Sequence, residues 1–249
     1  MTSRHDLTDA LLELAHGDER AVLFTILDGE HRGRKLLVRV DRGDHLGDAP
    51  ELLARLAPEV RRSGIVEHEG VRLFADVFGP SPRLVVVGAV DTGEALCAGA
   101  RALGWHTVCV DARPRFATPE RVPSAERIVV AWPDEAFAEI GLDRDTAVAV
   151  LTHDDKFDVP ALAAALRSDA FYVAALGSRV AQEGRRARLL EAGLTEAELG
   201  RLHGPAGLDV GAESPAETAV SILAEALAVR AGRTGGPLRQ SSARIHVER

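Results

Sequence analysis

The stretch that decides the fold is Leu84–Gly93, which reads "LVVVGAVDTG". A short apolar strand runs into Gly88, and the residues that follow resemble the start of a helix. A buried strand that turns through glycine into a helix is how a dinucleotide-binding domain begins. Gly88, Val90 and Gly93 occupy the three positions of the G-x-G-x-x-G fingerprint. The second position is normally glycine, which lets a pyrophosphate approach the backbone, so Val90 raises the question of what this loop binds.

Outward from this stretch, the chain from Arg83 onward alternates short apolar runs with helical segments. Runs rich in β-branched residues between helices are typical of buried parallel strands. We therefore predict an α/β fold, a Rossmann-like doubly wound parallel sheet. Ser214, Pro215 and Glu217 form the pattern of a capping box and predict a helix start. The predicted strands are "RLVVV" (83–87), "HTVCVD" (106–111), "RIVVAW" (127–132), "TAVAVLT" (146–152) and "FYVAAL" (171–176).

Three parts are predicted along the chain. Residues 1–81 are expected to form a divergent, smaller N-terminal α/β domain, and 82–230 the Rossmann-like domain, with "GPSP" (79–82) as the linker. Residues 231–249 lack periodicity and are predicted to be a flexible tail. Within the first part, the pattern predicts strands over 21–27, 35–40 and 71–78 and a helix over 50–64.

Composition excludes several classes of function. The net charge of −8 over 249 residues disfavours generic binding to nucleic acid, which requires a basic surface. No apolar run approaches the roughly 20 residues that span a bilayer, and the N-terminus has no apolar signal core. Cys97 and Cys109 form no spacing motif and indicate a reducing cytoplasm. We interpret both cysteines as small buried hydrophobes rather than reactive thiols.

The glycine loop has two interpretations from its residues alone. Asp111 ends the second predicted strand, where an acidic residue would hold a ribose hydroxyl of NAD(P). Against this, Val90 would fill the space of the pyrophosphate, and Asp91 would repel its charge. The alternative is a strand–helix turn that uses Gly88 and Gly93 for steric reasons only.

A polar cluster follows the fourth predicted strand. Thr152, His153 and Asp154 come at its carboxyl end, where an open α/β sheet binds ligands. The simpler interpretation is helix capping, with Asp158 as the N-cap of a helix over 159–168. A metal site is a further possibility, for which one histidine and clustered carboxylates are weak evidence.

Two later loops have the features of anion sites. Gly177 and Ser178 make a small-residue turn before a helix, and Arg179 follows them. Helix N-termini and guanidinium groups both bind phosphate. Farther along the same helix, Arg185, Arg186 and Arg188 fit a solvated face equally well. Asp209 and Ser214 belong to a glycine-rich loop that leads into the capped helix, and together with His203 they could line the same cleft.

In order and spacing, four segments resemble the xanthine dehydrogenase accessory (XdhC/CoxI) family from about Arg83 to Arg230. The resemblance implies a Rossmann-like domain in a maturation factor that binds molybdenum cofactor, as molybdopterin or its dinucleotide form. It also implies sulfuration of that cofactor with a cysteine desulfurase, and delivery to a molybdenum hydroxylase apoenzyme. The segments are "VVVGAVDTGEAL", "GWHTVCVDARPRFATPERVPSAERIVVAWPDE", "LTHDDKFDVPALAAALRSDAFYVAALGSR" and "GLDVGAESPAETAVSILAE".

The chain differs from the family pattern in two places. The family loop usually reads G-A-G-H, where this chain has Gly88 to Asp91 as "GAVD", and no cysteine-containing G-G-C segment precedes Arg83. The resulting hypothesis is a non-catalytic accessory factor. The alternatives are an NAD(P)-dependent oxidoreductase and a degenerate member that acts only in protein interaction; a homodimer is compatible with each. The candidate cofactor-binding residues are Gly88, Val90, Asp91, Gly93, Asp111, Thr152, His153, Asp154, Gly177, Ser178, Arg179, Asp209 and Ser214.

Overall fold

The computed structural model describes residues 4–14, 19–60 and 63–240. Its contacts divide the chain into two compact units, one within Met1–Pro80 and one over Ser81–Gly235, and the described residues 236–240 group with the first. Leu238–Gln240 form a short 3-10 turn. The remainder of the predicted tail, 241–249, lies outside the described residues.

The smaller unit is an antiparallel five-stranded sheet with a helix. Its elements are α1 (Arg4–Leu14), β1 (Ala21–Ile26), β2 (Lys35–Arg39), β3 (Asp44–Gly47), β4 (Gly64–His68) and β5 (Val71–Phe78), with strand order β3-β2-β1-β5-β4. Strands β1, β2 and β5 confirm the sequence prediction, whereas β3 and β4 were not predicted.

The expected helix over 50–64 is wrong. Two short 3-10 turns, Glu51–Arg55 and Ala57–Glu59, stand there instead. Pro58 explains the difference, because proline donates no amide hydrogen and disfavours the helical conformation of the residue before it.

The larger unit confirms the predicted doubly wound fold. Its elements are β6 (Arg83–Val87), α2 (Asp91–Ala102), β7 (His106–Val110), β8 (Arg127–Val129), α3 (Pro133–Ile140), β9 (Thr146–Val150), α4 (Asp155–Arg167), β10 (Tyr172–Ala175), α5 (Arg179–Glu191), α6 (Glu196–Leu199), β11 (Leu202–His203) and α7 (Pro215–Arg230). The six strands pair in parallel, in the order β11-β10-β9-β6-β7-β8.

Apolar side chains cover both faces of this sheet, which explains why its strands read as continuous hydrophobic runs. In β6, Val85 and Val87 pack with α3 and α4 on one face, while Leu84 and Val86 pack with α2 and α7 on the other. A side chain at Gly99 would lie 2.5 Å from Leu223, so this glycine allows α2 and α7 to pack closely.

The strand order reverses between β6 and β9, and this reversal positions the site. From β6 the chain crosses to α2 on one face, and from β9 it crosses to α4 on the opposite face. The loops at the carboxyl ends of these two strands therefore lead to opposite faces of the sheet. In open α/β sheets, ligands bind at such a topological switch point. We call it the switch-point crevice.

Candidate functional site

The glycine loop after β6 lies at the switch-point crevice. Gly88 has a φ of +113°, which favours glycine, and a Cβ atom there would lie 3.0 Å from the methyl group of Thr152. A Cβ at Gly93 would lie 2.6 Å from the carbonyl oxygen of Gly88. Both glycines are therefore required by the close approach of the loop to α2 and to the segment after β9.

Val90 is the residue that precedes α2. It has an extended backbone and provides no side-chain cap, so among the described residues no side-chain oxygen caps the first amides of this helix. Its side chain is half-buried and packs against the hydrophobic cluster around Leu96. Asp91, the first residue of the helix, is exposed. An uncapped helix N-terminus attracts anions, but here it lies beside a carboxylate.

Asp111 is buried at the end of β7 and is fully engaged by the protein. One carboxylate oxygen, Oδ2, accepts from the Ala89 amide at 2.9 Å and from Arg113 Nη2 at 2.7 Å. The other, Oδ1, accepts from the amide and the Nε of Arg113, at 3.0 and 2.9 Å. A carboxylate has about four acceptor sites, so the expected contact with a ribose hydroxyl requires Arg113 to move.

These contacts also set the charge of Asp111. Burial alone would raise the pKa of this carboxyl, but the hydrogen bonds from the Arg113 guanidinium and from the Ala89 and Arg113 amides outweigh burial and lower the pKa. Asp111 is thus an ionised anchor that ties the glycine loop to the segment after β7.

Sequence reasoning missed an aromatic cluster at the same edge of the sheet. The Arg113 guanidinium carbon lies 4.2 Å from the centre of the Phe116 ring and 5.9 Å from that of Phe157. Phe157 stacks on Trp132, with ring centres 4.6 Å apart and planes inclined by 12°. The residues come from three separate segments, so no local pattern brings them together. The one available signal was the position of Arg113 and Phe116 directly after an acid-terminated strand.

The polar cluster after β9 is divided between the surface and the interior. His153 and Asp154 are exposed, and Asp154 accepts from the Lys156 amide at 3.0 Å. Asp154, not Asp158, is therefore the N-cap of α4, and the predicted cap at Asp158 is wrong. Asp158 instead lies inside the helix, is 1% exposed, and accepts from the hydroxyl of buried Thr152.

Arg185 completes this buried network. Its Nη2 donates to Asp158 at 2.8 Å and to the Leu176 carbonyl at 3.1 Å, while Nη1 donates to Gln182 at 2.7 Å. The Thr152–Asp158–Arg185 network thus ties the end of β9 to the loop after β10. Arg185 is 4% exposed, so the solvated-face interpretation is wrong for this residue. It holds for the exposed Arg186 and Arg188, which pair with Glu196 and Asp155.

The loop between β10 and α5 carries an available cation. Gly177 has a φ of +135°, and Ser178 caps α5 by accepting from the Ala181 amide at 3.2 Å. Arg179 is exposed and forms no side-chain hydrogen bond or ion pair within the described part of the chain. The first turn of α5 contains no acidic residue, unlike those of α2, α4 and α7.

The loop before α7 is less suited to anions. The predicted capping box is confirmed: Ser214 accepts from the Glu217 amide, and Glu217 accepts from the Ser214 amide. Pro215 has no amide hydrogen, so few donors remain at this helix end. Asp209 is exposed. His203 contacts Glu225 at 3.2 Å and the ring of Tyr172, on the α7 face of the sheet.

Both thiols are buried and unpaired by disulfides. Burial raises the pKa of Cys97, and raises that of Cys109 to about 12, which agrees with their interpretation as small hydrophobes. Among the residues with described positions, no three His, Cys, Asp or Glu side chains are grouped to hold a metal ion. Within the same ranges, no helix has the length and apolar content needed to cross a bilayer.

The parallel sheet, its glycine loop and the reversal of strand order between β6 and β9 define a domain of the Rossmann class. The family model described as the XdhC Rossmann domain matches residues 84–226. This chain belongs to the XdhC family.

Two bacterial relatives agree with this assignment. A protein of Bacillus subtilis (strain 168) that is named as a probable xanthine dehydrogenase component is 29% identical over 158 residues, which are 64% of this chain and 46% of that protein. The molybdenum cofactor insertion chaperone PaoD of Escherichia coli (strain K12) is 29% identical over 153 residues, which are 61% of this chain and 42% of PaoD. The matched segments thus cover less than half the length of these relatives.

A solved structure supports the fold. The crystal structure of a xanthine dehydrogenase from Bacillus halodurans superposes with a TM-score of 0.68 at 24% identity. The match covers 92% of this chain and 67% of that one.

Proposed function

We propose that this chain is a non-catalytic maturation factor that binds molybdenum cofactor and assists its insertion into a molybdenum hydroxylase. Membership of the XdhC family and similarity to an insertion chaperone support a role in maturation. The observation that carries the proposal is the β10–α5 loop at the carboxyl edge of the sheet, where Ser178 caps α5 and the exposed Arg179 has no side-chain partner among the described residues.

The residues present fit the phosphate of molybdopterin at one place better than at the others. At α2, the carboxylate of Asp91 opposes an anion at an otherwise uncapped helix end. At α5, Ser178 satisfies one amide, no acidic residue lies in the first turn, and Arg179 adds a guanidinium. Helix amides and arginine both stabilise phosphate. We therefore assign the phosphate to the loop formed by Gly177, Ser178 and Arg179.

The chain's own residues hold and orient the cofactor, whose molybdenum supplies the chemistry of the client enzyme. To transfer a cofactor to another protein, the chain must bind the cofactor and then release it. Neither step requires a nucleophile or an acid–base pair. Cys97 and Cys109 are buried with raised pKa values, so neither is placed to carry sulfur. If sulfuration occurs on this chain, the sulfur is expected to come from a partner such as a cysteine desulfurase.

A reconstitution assay tests the proposal. Purified chain is loaded with molybdopterin, passed through a desalting column and added to a molybdenum hydroxylase apoenzyme. We expect pterin to co-elute with the chain, and the apoenzyme to gain activity faster than with the same amount of free cofactor. Serum albumin treated in the same way is the control. If pterin elutes alone and the chain does not change the rate of reconstitution, the proposal is wrong.

The competing function is an NAD(P)-dependent oxidoreductase, which Gly88 and Gly93 favour. Val90 and Asp91 oppose a pyrophosphate at the loop, and the four hydrogen bonds on Asp111 leave it without a free acceptor for ribose. The chain is therefore expected to discriminate against this cofactor.

Calorimetric titration with NAD checks this expectation. The wild type should show no saturable binding at NAD concentrations up to about millimolar. A dissociation constant of that size corresponds to a binding free energy of only about −4 kcal/mol. Val90→Gly should gain affinity, and Val90→Gly with Asp91→Asn should gain more, because it removes both the side chain and the charge. Micromolar binding of NAD by the wild type would favour the oxidoreductase function. If neither variant binds NAD more tightly than the wild type, the crevice is shaped for another ligand.

A further inference from the structure

The smaller unit contains a cavity at one end of its antiparallel sheet. Residues of the β1–β2 loop, of the 3-10 turn over Glu51–Arg55 and of the turn between β4 and β5 border a volume of about 350 Å³. Strands β1 and β5 pair with Ile26 opposite Leu73, which brings their adjoining turns to the same end. Sites for small molecules occupy roughly 300–1,000 Å³, so this smaller-unit cavity has the size of a site for a small ligand.

The inner part of the cavity is aliphatic. Ile26, Leu53 and Leu73 line it and are buried members of the core of the smaller unit. Leu52 lines it as well, but this side chain is 47% exposed. A ligand with a hydrocarbon body would remove that apolar surface from water, which is favourable. The lining therefore favours a ligand that is apolar over part of its length.

The charged side chains of the lining are all acidic. Asp28, Glu30 and Glu69 border the cavity, and none of its described lining residues is lysine or arginine. Asp28 is already compensated, because it accepts from the amide and the Nε of Arg72 at 3.0 and 2.8 Å, and these hydrogen bonds lower its pKa. Glu30 and Glu69 are exposed and form no side-chain hydrogen bond or ion pair within the described ranges. This rim repels phosphates and attracts cations.

Glu69 is held at the rim by an unfavourable backbone. Because His68 pairs with Val71, the turn between β4 and β5 consists of Glu69 and Gly70 alone. Their φ angles are +50° and +77°. A two-residue turn with two positive φ angles prefers Asn-Gly, and glutamate is uncommon in this region. The carboxylate at this position is thus kept at a conformational cost that asparagine would reduce.

His31 adds an unpaired nitrogen to the lining. Its Nδ1 is buried and has no hydrogen-bond partner in the described part of the chain. A buried polar atom without a partner costs free energy. Rotation of the ring toward a ligand would break no side-chain hydrogen bond of His31 with a described residue. One nitrogen of a neutral imidazole is an acceptor, so the ring can accept from an N–H group.

We propose that the smaller-unit cavity binds a small organic amine in its cationic form. The hydrocarbon body lies on Ile26, Leu53 and Leu73, and the ammonium group lies at the rim with Glu30 and Glu69. An alkylammonium has three N–H donors, as the lysine side chain does, and two carboxylates with one imidazole nitrogen match that number. The chemistry is the reverse of that at Arg179, where a cation of the chain receives a phosphate, so this site is additional to the proposed cofactor site.

Titration calorimetry of the full-length chain at low ionic strength, where screening is weakest, tests the ligand class. The probes are hexylammonium, hexanoate, 1-hexanol and methylammonium. We expect saturable binding of hexylammonium that is at least about tenfold tighter than that of the other three, or about 1.4 kcal/mol. Equal affinity for hexanoate or 1-hexanol would refute the selection of a cation. Equal affinity for methylammonium would refute the apolar subsite, and no saturable binding of any probe would refute the site.

Variants of the rim test its charges. Glu69→Asn keeps a residue that the turn accepts, and together with Glu30→Gln it should lower the affinity for hexylammonium about tenfold. Glu67→Gln is the matched control: Glu67 is an exposed carboxylate on β4, and it alternates with His68, so it lies on the opposite face of the strand. Its affinity should equal that of the wild type. If the folded double variant binds hexylammonium as tightly as Glu67→Gln does, the proposal is wrong.

A second pair of variants tests the apolar contact. Leu52→Ala removes hydrocarbon surface from the cavity without a change of charge and should weaken hexylammonium binding several-fold. Leu190→Ala is its control, because Leu190 is 40% exposed on α5 of the larger unit. Weaker binding by Leu190→Ala than by Leu52→Ala would place the amine outside the cavity and overturn the assignment.

Discussion

Replacing Asp158 with alanine is expected to lower the free energy of unfolding by about 3–5 kcal/mol. The Asp158–Arg185 pair is almost wholly buried, with an Oδ2–Nη2 distance of 2.8 Å. Removal of the carboxylate leaves a guanidinium without its counter-charge in the interior and takes the acceptor from Thr152. Removal of one partner of a buried ion pair is strongly destabilising, because the remaining charge stays in the interior and cannot return to water. Replacement of both partners by apolar residues costs much less stability. Urea unfolding followed by circular dichroism measures the loss.

Arg186→Ala is the matched control for this experiment. Arg186 is adjacent to Arg185 and also pairs with a carboxylate, that of Glu196, but both side chains are exposed. An exposed pair is typically worth about 0–1 kcal/mol, so this variant should unfold close to the wild type. The double variant Asp158→Ala with Arg185→Met should recover part of the loss, since no charge stays buried. If Asp158→Ala costs no more than Arg186→Ala, the network does not hold these loops together.

Replacing Arg179 with alanine is expected to weaken molybdopterin binding by about tenfold or more. A hydrogen bond to a charged group is worth about 1.5–3 kcal/mol, and Arg179 lies at the start of α5, where amides and guanidinium can meet one phosphate. No described residue pairs with its side chain, so removal of the guanidinium breaks no ion pair or hydrogen bond among the described residues of the ligand-free chain. Affinity is measured by titration with molybdopterin at low salt, where screening is weakest.

Arg188 provides the control on the same helix. It is exposed like Arg179, but its Nε lies 3.0 Å from Asp155 and its charge is already compensated. Arg188→Ala should change the affinity little, and Arg179→Lys should keep part of it, because lysine retains the charge without the planar donor pair. Equal affinities for Arg179→Ala and Arg188→Ala would contradict the placement of the phosphate at this loop.

The sequence was sufficient for the parts of the fold that depend on local pattern. Buried parallel strands need apolar residues on both faces. The run Leu84–Val87 and the other apolar runs of the larger unit are therefore recognisable as strands without knowledge of the strands beside them. Capping is equally local, and the box of Ser214 and Glu217 was predicted from spacing. In the smaller unit, the local pattern does not predict β4 (Gly64–His68), because the helical spacing of 50–64 runs up to its first residue and Pro58 then prevents that helix.

The errors within the site have a common cause. Asp158 and Arg185 are separated by 27 residues, yet they form a buried pair at 2.8 Å. Viewed locally, an aspartate near a helix start resembles a cap, and an arginine among arginines resembles a solvated face. Both interpretations failed because neither pattern contains the partner that neutralises the other side chain.

By itself, the sequence determined that this chain folds into a doubly wound sheet, that it belongs among XdhC-like proteins, and that polar groups gather at the ends of its strands. These properties follow from short-range periodicity and from the order of motifs along the chain. Only the tertiary structure decided which of those groups are free. It saturates Asp111 with Arg113, buries Asp158 against Arg185, and leaves Arg179 accessible. The physical reason is that the burial and charge compensation of a side chain depend on residues that are distant in the sequence. A local sequence pattern does not contain these partners.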